Sequence, residues 1–90
     1  MKNVTIRQFR VFAEVAKHLS FSRAAAALHL TPPAVTMQVK ELEAHVGLPL
    51  FDRQGRQIAL TTVGEDMLSY VRRMLAVLKD AEDAADGFRG

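Results

Sequence analysis

Ninety residues, 49% of them hydrophobic, are enough for one small domain with its own core and too apolar for a disordered segment. With no cysteine, the chain has no disulfide framework, thiolate metal site or thiol nucleophile, and it fits a reducing compartment. The net charge of +2 hides an asymmetry: residues 1–60 carry eight Lys/Arg against four acids, residues 61–90 four against six. A basic first part suits a polyanionic partner, and an acidic second part suits a different task.

The first residues lack a basic segment leading into an apolar run, and no run nears the roughly 20 apolar residues of a membrane span. The expectation is a soluble, cytoplasmic protein with no membrane partner. Thr5-Ile6-Arg7-Gln8 has the form of a capping box. Ile6, Phe9, Ala13 and Ala16 follow at helical spacing with Phe12 and Val15 beside them, so a first helix is expected over about 5–18 with a broad apolar face. Ser20 or Ser22 then caps a short helix whose Arg23-Ala24-Ala25-Ala26-Ala27-Leu28 run has high helix propensity and permits close packing.

A third helix runs from Thr31 to Gly47. Thr31 suits the N-cap, Pro32 the first helical position and Gly47 a left-handed terminus. Val35, Val39, Leu42 and Val46 form its apolar stripe; Pro33, Thr36, Met37 and Lys40 lie opposite. Two helices joined by a turn of about three residues form a helix-turn-helix, with the later helix in the major groove. Beyond Gly47 the period changes. Residues 48–53 and 56–60 read as two short strands turning at Gln54-Gly55, with Arg53 and Arg56 near the tip, which makes a wing able to lie on phosphates or reach the minor groove.

Thr61 or Thr62 opens a last helix over about 62–86, with Thr62 and Glu65 spaced as a capping box. Met67, Val71, Met74, Leu78, Ala81 and Ala85 recur at heptad spacing and are expected to form a dimer seam, with Leu68 and Leu75 as a second strip docking on the chain's own domain. At about 37 Å such a helix outruns the domain beneath it. Gly87-Phe88-Arg89-Gly90 reads as a hinge.

Phe21-Ser22-Arg23-Ala24-Ala25, Leu28-His29-Leu30-Thr31, Pro33-Ala34-Val35-Thr36, Leu42-Glu43, Gly47, Leu50-Phe51-Asp52-Arg53, Leu60-Thr61 and Gly64 together resemble the N-terminal DNA-binding domain of LysR-type transcriptional regulators over about residues 4–86. The resemblance implies a mainly α fold: a winged helix-turn-helix over 1–61 and a linker and dimerisation helix over 62–90. It further implies double-stranded DNA as partner on an interrupted AT-rich dyad, a homodimer through the linker helix and a tetramer of the full-length protein. A small-molecule effector would act only through a C-terminal domain outside these residues. The family's DNA-contacting positions fall on Thr31, Pro32, Pro33, Thr36, Met37 and Lys40, and on Arg53 with the neighbouring wing residue Arg56. Arg23 and Gln38 are further candidates for the DNA backbone, Arg23 equally for an internal ion pair.

The chain departs from the family at three of these positions. Position 32, often Gln, is Pro; position 36, often Ser, is Thr; position 37, often Arg, is Met. Hydrogen-bonded base readout should therefore be thin, leaving apolar contact, the Thr36 hydroxyl and DNA shape. Met37-Gln38-Val39-Lys40 is similar to the carbon-fixation regulators of the family.

No metal, cofactor or catalytic group is expected. His18, His29 and His45 lack metal-ligand spacing, Glu41 and Glu43 point apart on a helix, and no nucleophile or phosphate-loop motif occurs. Two non-enzymatic alternatives stay open beside DNA binding: a winged-helix module for a protein partner, and a dimerisation helix with a passive head.

Overall fold

The computed structural model describes residues 1–90. It comprises α1 (Ile6–His18), α2 (Phe21–Leu28), α3 (Pro32–Val46), β1 (Phe51–Gln54), β2 (Gln57–Leu60) and α4 (Thr62–Arg89). The winged helix-turn-helix with a long final helix is thus the observed architecture.

Each helix start is fixed by a side chain accepting an otherwise unpaired amide. Thr5 and Gln8 form the reciprocal capping box on α1; Ser20, Thr31 and Thr61 cap the others. Thr61 displaces the expected Thr62–Glu65 box because its hydroxyl does two things: it accepts from the Gly64 amide and donates to the Pro49 carbonyl. The start of α4 is thereby tied to the segment before the wing. The α2–α3 turn is a Schellman motif. His29 takes the left-handed conformation at φ 57, the Leu30 amide reaches the Ala25 carbonyl, and the His29 amide reaches Ala26.

The core divides into two clusters on either side of α1. Val11, Val15, Ala24, Ala25, Val35 and Val39 seal α1 to the helix-turn-helix. Phe12, Ala16, Leu42, Leu50, Leu68 and Val71 seal it to α4 and the wing root. Because α1 packs on three helices, its buried arc centres on Val11, Phe12 and Val15, and Ile6, expected in the core, stands about half exposed at the helix start.

The wing is a two-stranded antiparallel hairpin in which Phe51 pairs with Leu60 and Gln54 with Gln57. Its two-residue loop is Gly55-Arg56, one residue later than expected, with Gly55 at φ 65. The Phe51 ring makes edge contacts with Phe12 and Phe21, so the wing root rests on α1 and α2. Leu48-Pro49-Leu50 is not strand: Leu50 turns inward and is fully buried.

Helix α4 has 28 residues, about 42 Å at 1.5 Å per residue, and takes in the residues read as a hinge. One side of it docks on α1 through Leu68, Val71 and Leu75, with Arg10 reaching Glu82 at 3.8 Å. Val71 is fully enclosed by its own domain, so it is withdrawn from the expected partner seam. Met67, packed on the second cluster, and the half-buried Leu78 lean the same way.

Candidate nucleic-acid interface

The face of α3 opposite its buried Val35, Val39 and Leu42 is open. Pro32, Pro33, Thr36, Met37, Lys40 and Glu41 line it. Two prolines in the first turn cost no hydrogen bond there and leave that turn smooth. Thr31 lies at the helix start, its hydroxyl taken up by the Ala34 amide at 3.3 Å. As the N-cap of α3, that hydroxyl has a structural task and is poorly placed to read a base.

A groove runs between α3 and the wing, where Thr36 and Lys40 face Arg53 across Val39 and Phe51. Asp52 and Glu43 are also in it. Arg53, projecting from β1, borders a second depression, shared with Ser20, Ser22 and Arg56 at the start of α2. The structure therefore brings Lys40 and Arg53 to one groove beside the open face of α3, and Arg53 with Arg56 to the depression next to it. Arg23 borders the adjoining depression with His18, and the two depressions share Leu19, Ser20, Gln57 and Ile58. The structure does not bring Gln38 with them: it is half-buried and about 100° round the helix from Met37, at the edge of the open face.

Two carboxylates do work the sequence did not announce. Glu43 Oε2 accepts from the Leu50 amide at 2.6 Å and the Phe51 amide at 3.4 Å. It pins the chain entering the wing to α3, at the edge of the groove that it also lines. Glu41 Oε2 accepts from Gln8 Nε2 at 3.0 Å. Gln8, only 4% exposed, also completes the α1 capping box. Gln8 was legible as a cap and not as a buried bridge to α3, since the bridge spans 33 residues.

No group of His, Cys, Asp or Glu is placed to hold a metal ion, and no helix is long and apolar enough to cross a membrane. His18 Nε2 lies 3.1 Å from Glu14 Oε1 on the same helix, and His29 caps α2.

This geometry meets an independent finding. The profile described as "Bacterial regulatory helix-turn-helix protein, lysR family" matches residues 6–65. The chain belongs to the LysR family.

Among relatives of this LysR-family domain, the HTH-type transcriptional regulator CbbR of Rhodospirillum rubrum is 49% identical over 85 residues, covering 94% of this chain and 28% of that protein. The RuBisCO operon transcriptional regulator of Allochromatium vinosum is 44% identical over 88 residues, covering 98% of this chain and 29% of that protein. The latter's name agrees with the carbon-fixation branch expected from Met37-Gln38-Val39-Lys40. Among solved structures, the CbnR DNA-binding domain–DNA complex superposes with a TM-score of 0.86 at 32% identity, over 96% of this chain and 99% of that chain. The chain spans less than a third of the length of the curated relatives it matches. Those relatives are named as regulators and none as an enzyme.

Proposed function

We propose that this domain binds double-stranded DNA for a transcriptional regulator, with the first two turns of α3 in the major groove and the wing on the backbone or in the minor groove. One observation carries the reading: Lys40 on α3 and Arg53 on the wing face each other across a groove that opens beside an unobstructed helix face. Two cations flanking an exposed helix match the demands of a duplex, whose phosphate rows bound the groove that the helix enters. Arg56 at the hairpin loop extends the backbone footprint. The CbnR complex, similar over nearly all of both chains, supports this mode of use. In this reading residues 1–61 are the DNA-binding unit and residues 62–90 the linker that dimerises, within a longer, cytoplasmic regulator. That regulator forms a tetramer, and its effector acts through a C-terminal domain. Relatives named for the RuBisCO operon make carbon-fixation genes the proposed targets.

The dimer surface is read from what α4 leaves uncovered. Tyr70, Met74, Val77, Ala81, Ala84 and Phe88 are all exposed and recur at four, three, four, three and four residues. This stripe shares Met74 and Ala81 with the seam expected from sequence. It replaces Met67, Val71 and Leu78, which belong to the domain side, and passes beside Ala85. Val77 at 66% and Phe88 at 92% exposure are large apolar groups with no cover in the monomer.

Anisotropy of a labelled mixed-sequence duplex across a salt series tests the reading. Affinity should fall steeply with salt, the slope counting phosphate contacts. No binding at low salt would transfer the open face of α3 to a protein partner.

A further inference from the structure

The geometry points to Met37 as a specificity-determining residue, its ligand the C5-methyl group of a pyrimidine in the major groove. This rests on the DNA-binding reading and adds what the helix recognises.

Each base pair shows the major groove a distinct set of donors and acceptors, and the one apolar feature among them is the thymine methyl. The open face of α3 is poor in groups able to read the polar set. The Thr31 hydroxyl is held by the Ala34 amide. Glu41 Oε2 is held by Gln8. Gln38, the only side-chain amide on the helix, stands off the face and is half-buried. Lys40 is a flexible point charge without the paired donor and acceptor of an amide, and it already faces Arg53 in the groove where backbone charge is met. The Thr36 hydroxyl and the second oxygen of Glu41 remain, and neither offers the paired donor and acceptor of an amide on adjacent atoms.

What the face offers instead is apolar. Met37 is 53% exposed. Pro33, one turn earlier, and Thr36, whose side chain carries a methyl, line the same face. A lone exposed methionine elsewhere on the surface would need no explanation. This one sits on the helix side left free by the core, with Lys40 on the same face and Arg53 in the adjoining groove. Its unbranched thioether adapts to a small apolar knob better than a branched side chain would. The same knob occurs on 5-methylcytosine, and the Thr36 hydroxyl, able to donate or to accept, does not by itself select the thymine carbonyl against the cytosine amine. The domain should therefore treat cytosine methylation at that position as a partial substitute for thymine.

The experiment uses the 90-residue chain and the duplex it selects from a randomised pool. Each thymine is replaced in turn by deoxyuridine, which removes only the methyl. Burial of one methyl corresponds to about fourfold in affinity. One or two positions per half-site should show that loss with the natural protein. The loss should persist in Met37→Leu and vanish in Met37→Ala. Placing cytosine and then 5-methylcytosine at the sensitive position separates the two sources: a fourfold recovery on methylation extends the ligand to both bases, and none confines it to thymine. Indifference to deoxyuridine at every position, or an equal loss in Met37→Ala, would overturn the proposal while leaving DNA binding intact. Failure to select any duplex would overturn the DNA-binding reading itself.

Discussion

Replacing Glu43 by Ala tests whether the recognition helix and the wing are one mechanical unit. The carboxylate accepts the Leu50 amide at 2.6 Å and the Phe51 amide at 3.4 Å. Leu50 is fully buried, so its amide has no ready access to water once the acceptor is gone. A hydrogen bond to a charged group contributes about 1.5–3 kcal/mol, and a buried donor left unpaired loses a similar amount. The second contact is at the limit of hydrogen-bond length and adds little. Glu43→Ala should therefore destabilise by about 1.5–3 kcal/mol, on the order of 10–20 °C in Tm for a domain of this size. Glu43→Gln keeps an acceptor oxygen without the charge and should lose about half as much. Urea melts of the three proteins measure this. Loosening the clamp also frees Arg53, so the salt slope for DNA should fall by about one. A loss below ~0.5 kcal/mol, the usual range for a surface change, would refute the clamp. So would a Glu43→Gln protein as stable as the natural one, which would mean that the side chain acts through its bulk and not through its charged acceptor.

Lys40→Ala and Arg53→Ala should each weaken binding to all sequences alike and lower the salt slope by about 0.9, the share of one phosphate; an unchanged slope removes that residue from the footprint. Thr36→Ala should cost about 1 kcal/mol per half-site on the selected duplex and little on random DNA, which competition binding distinguishes. Val77→Asp should shift sedimentation from dimer to monomer with the fold intact, whereas Val71→Asp should abolish the cooperative melt, because it buries a charge without a partner. Gly64→Ala should destabilise by about 1–3 kcal/mol or more in a melt, since a Cβ there would overlap the Leu50 carbonyl, an atom already fixed by the Thr61 amide at 3.0 Å.

What was legible in the sequence was what is local. Caps, prolines and glycines act within four residues of themselves, so Thr5, Ser20, Thr31, Pro32 and Gly47 mark their helix ends where the structure has them. The stripe of Val35, Val39 and Leu42 placed the open face of α3 opposite, with Met37 and Lys40 on it. What was not legible depends on pairs far apart in the chain. Glu43 reads as one more acid on a helix until Leu50 is brought under it. Gly64 reads as a residue near a helix start until the Leu50 carbonyl is seen against it. Gln38 follows Met37 in sequence, and only the structure shows that it stands half-buried at the edge of the open face while Met37 is exposed on it.

The final helix shows why a heptad in sequence does not name its own partner. Residues 62–89 carry two apolar stripes side by side, and each satisfies the three–four spacing. Stepping a stripe by one residue rotates it by about 100°, enough to exchange the face on α1 for the face in solvent. Burial alone separates them. Leu68 and Val71 close the second core cluster, while Tyr70, Met74 and Val77 touch no core. The seam drawn from sequence followed the heptad spacing of Met67, Val71, Met74, Leu78, Ala81 and Ala85, a line that runs between the covered stripe and the exposed one and so takes residues from both. The covered stripe ends where the domain beneath it ends, near Glu82 and its pairing with Arg10, and the exposed stripe runs on to Phe88. A surface for a partner should outlast the surface for the domain in this way, because the remaining turns of α4 have no other cover.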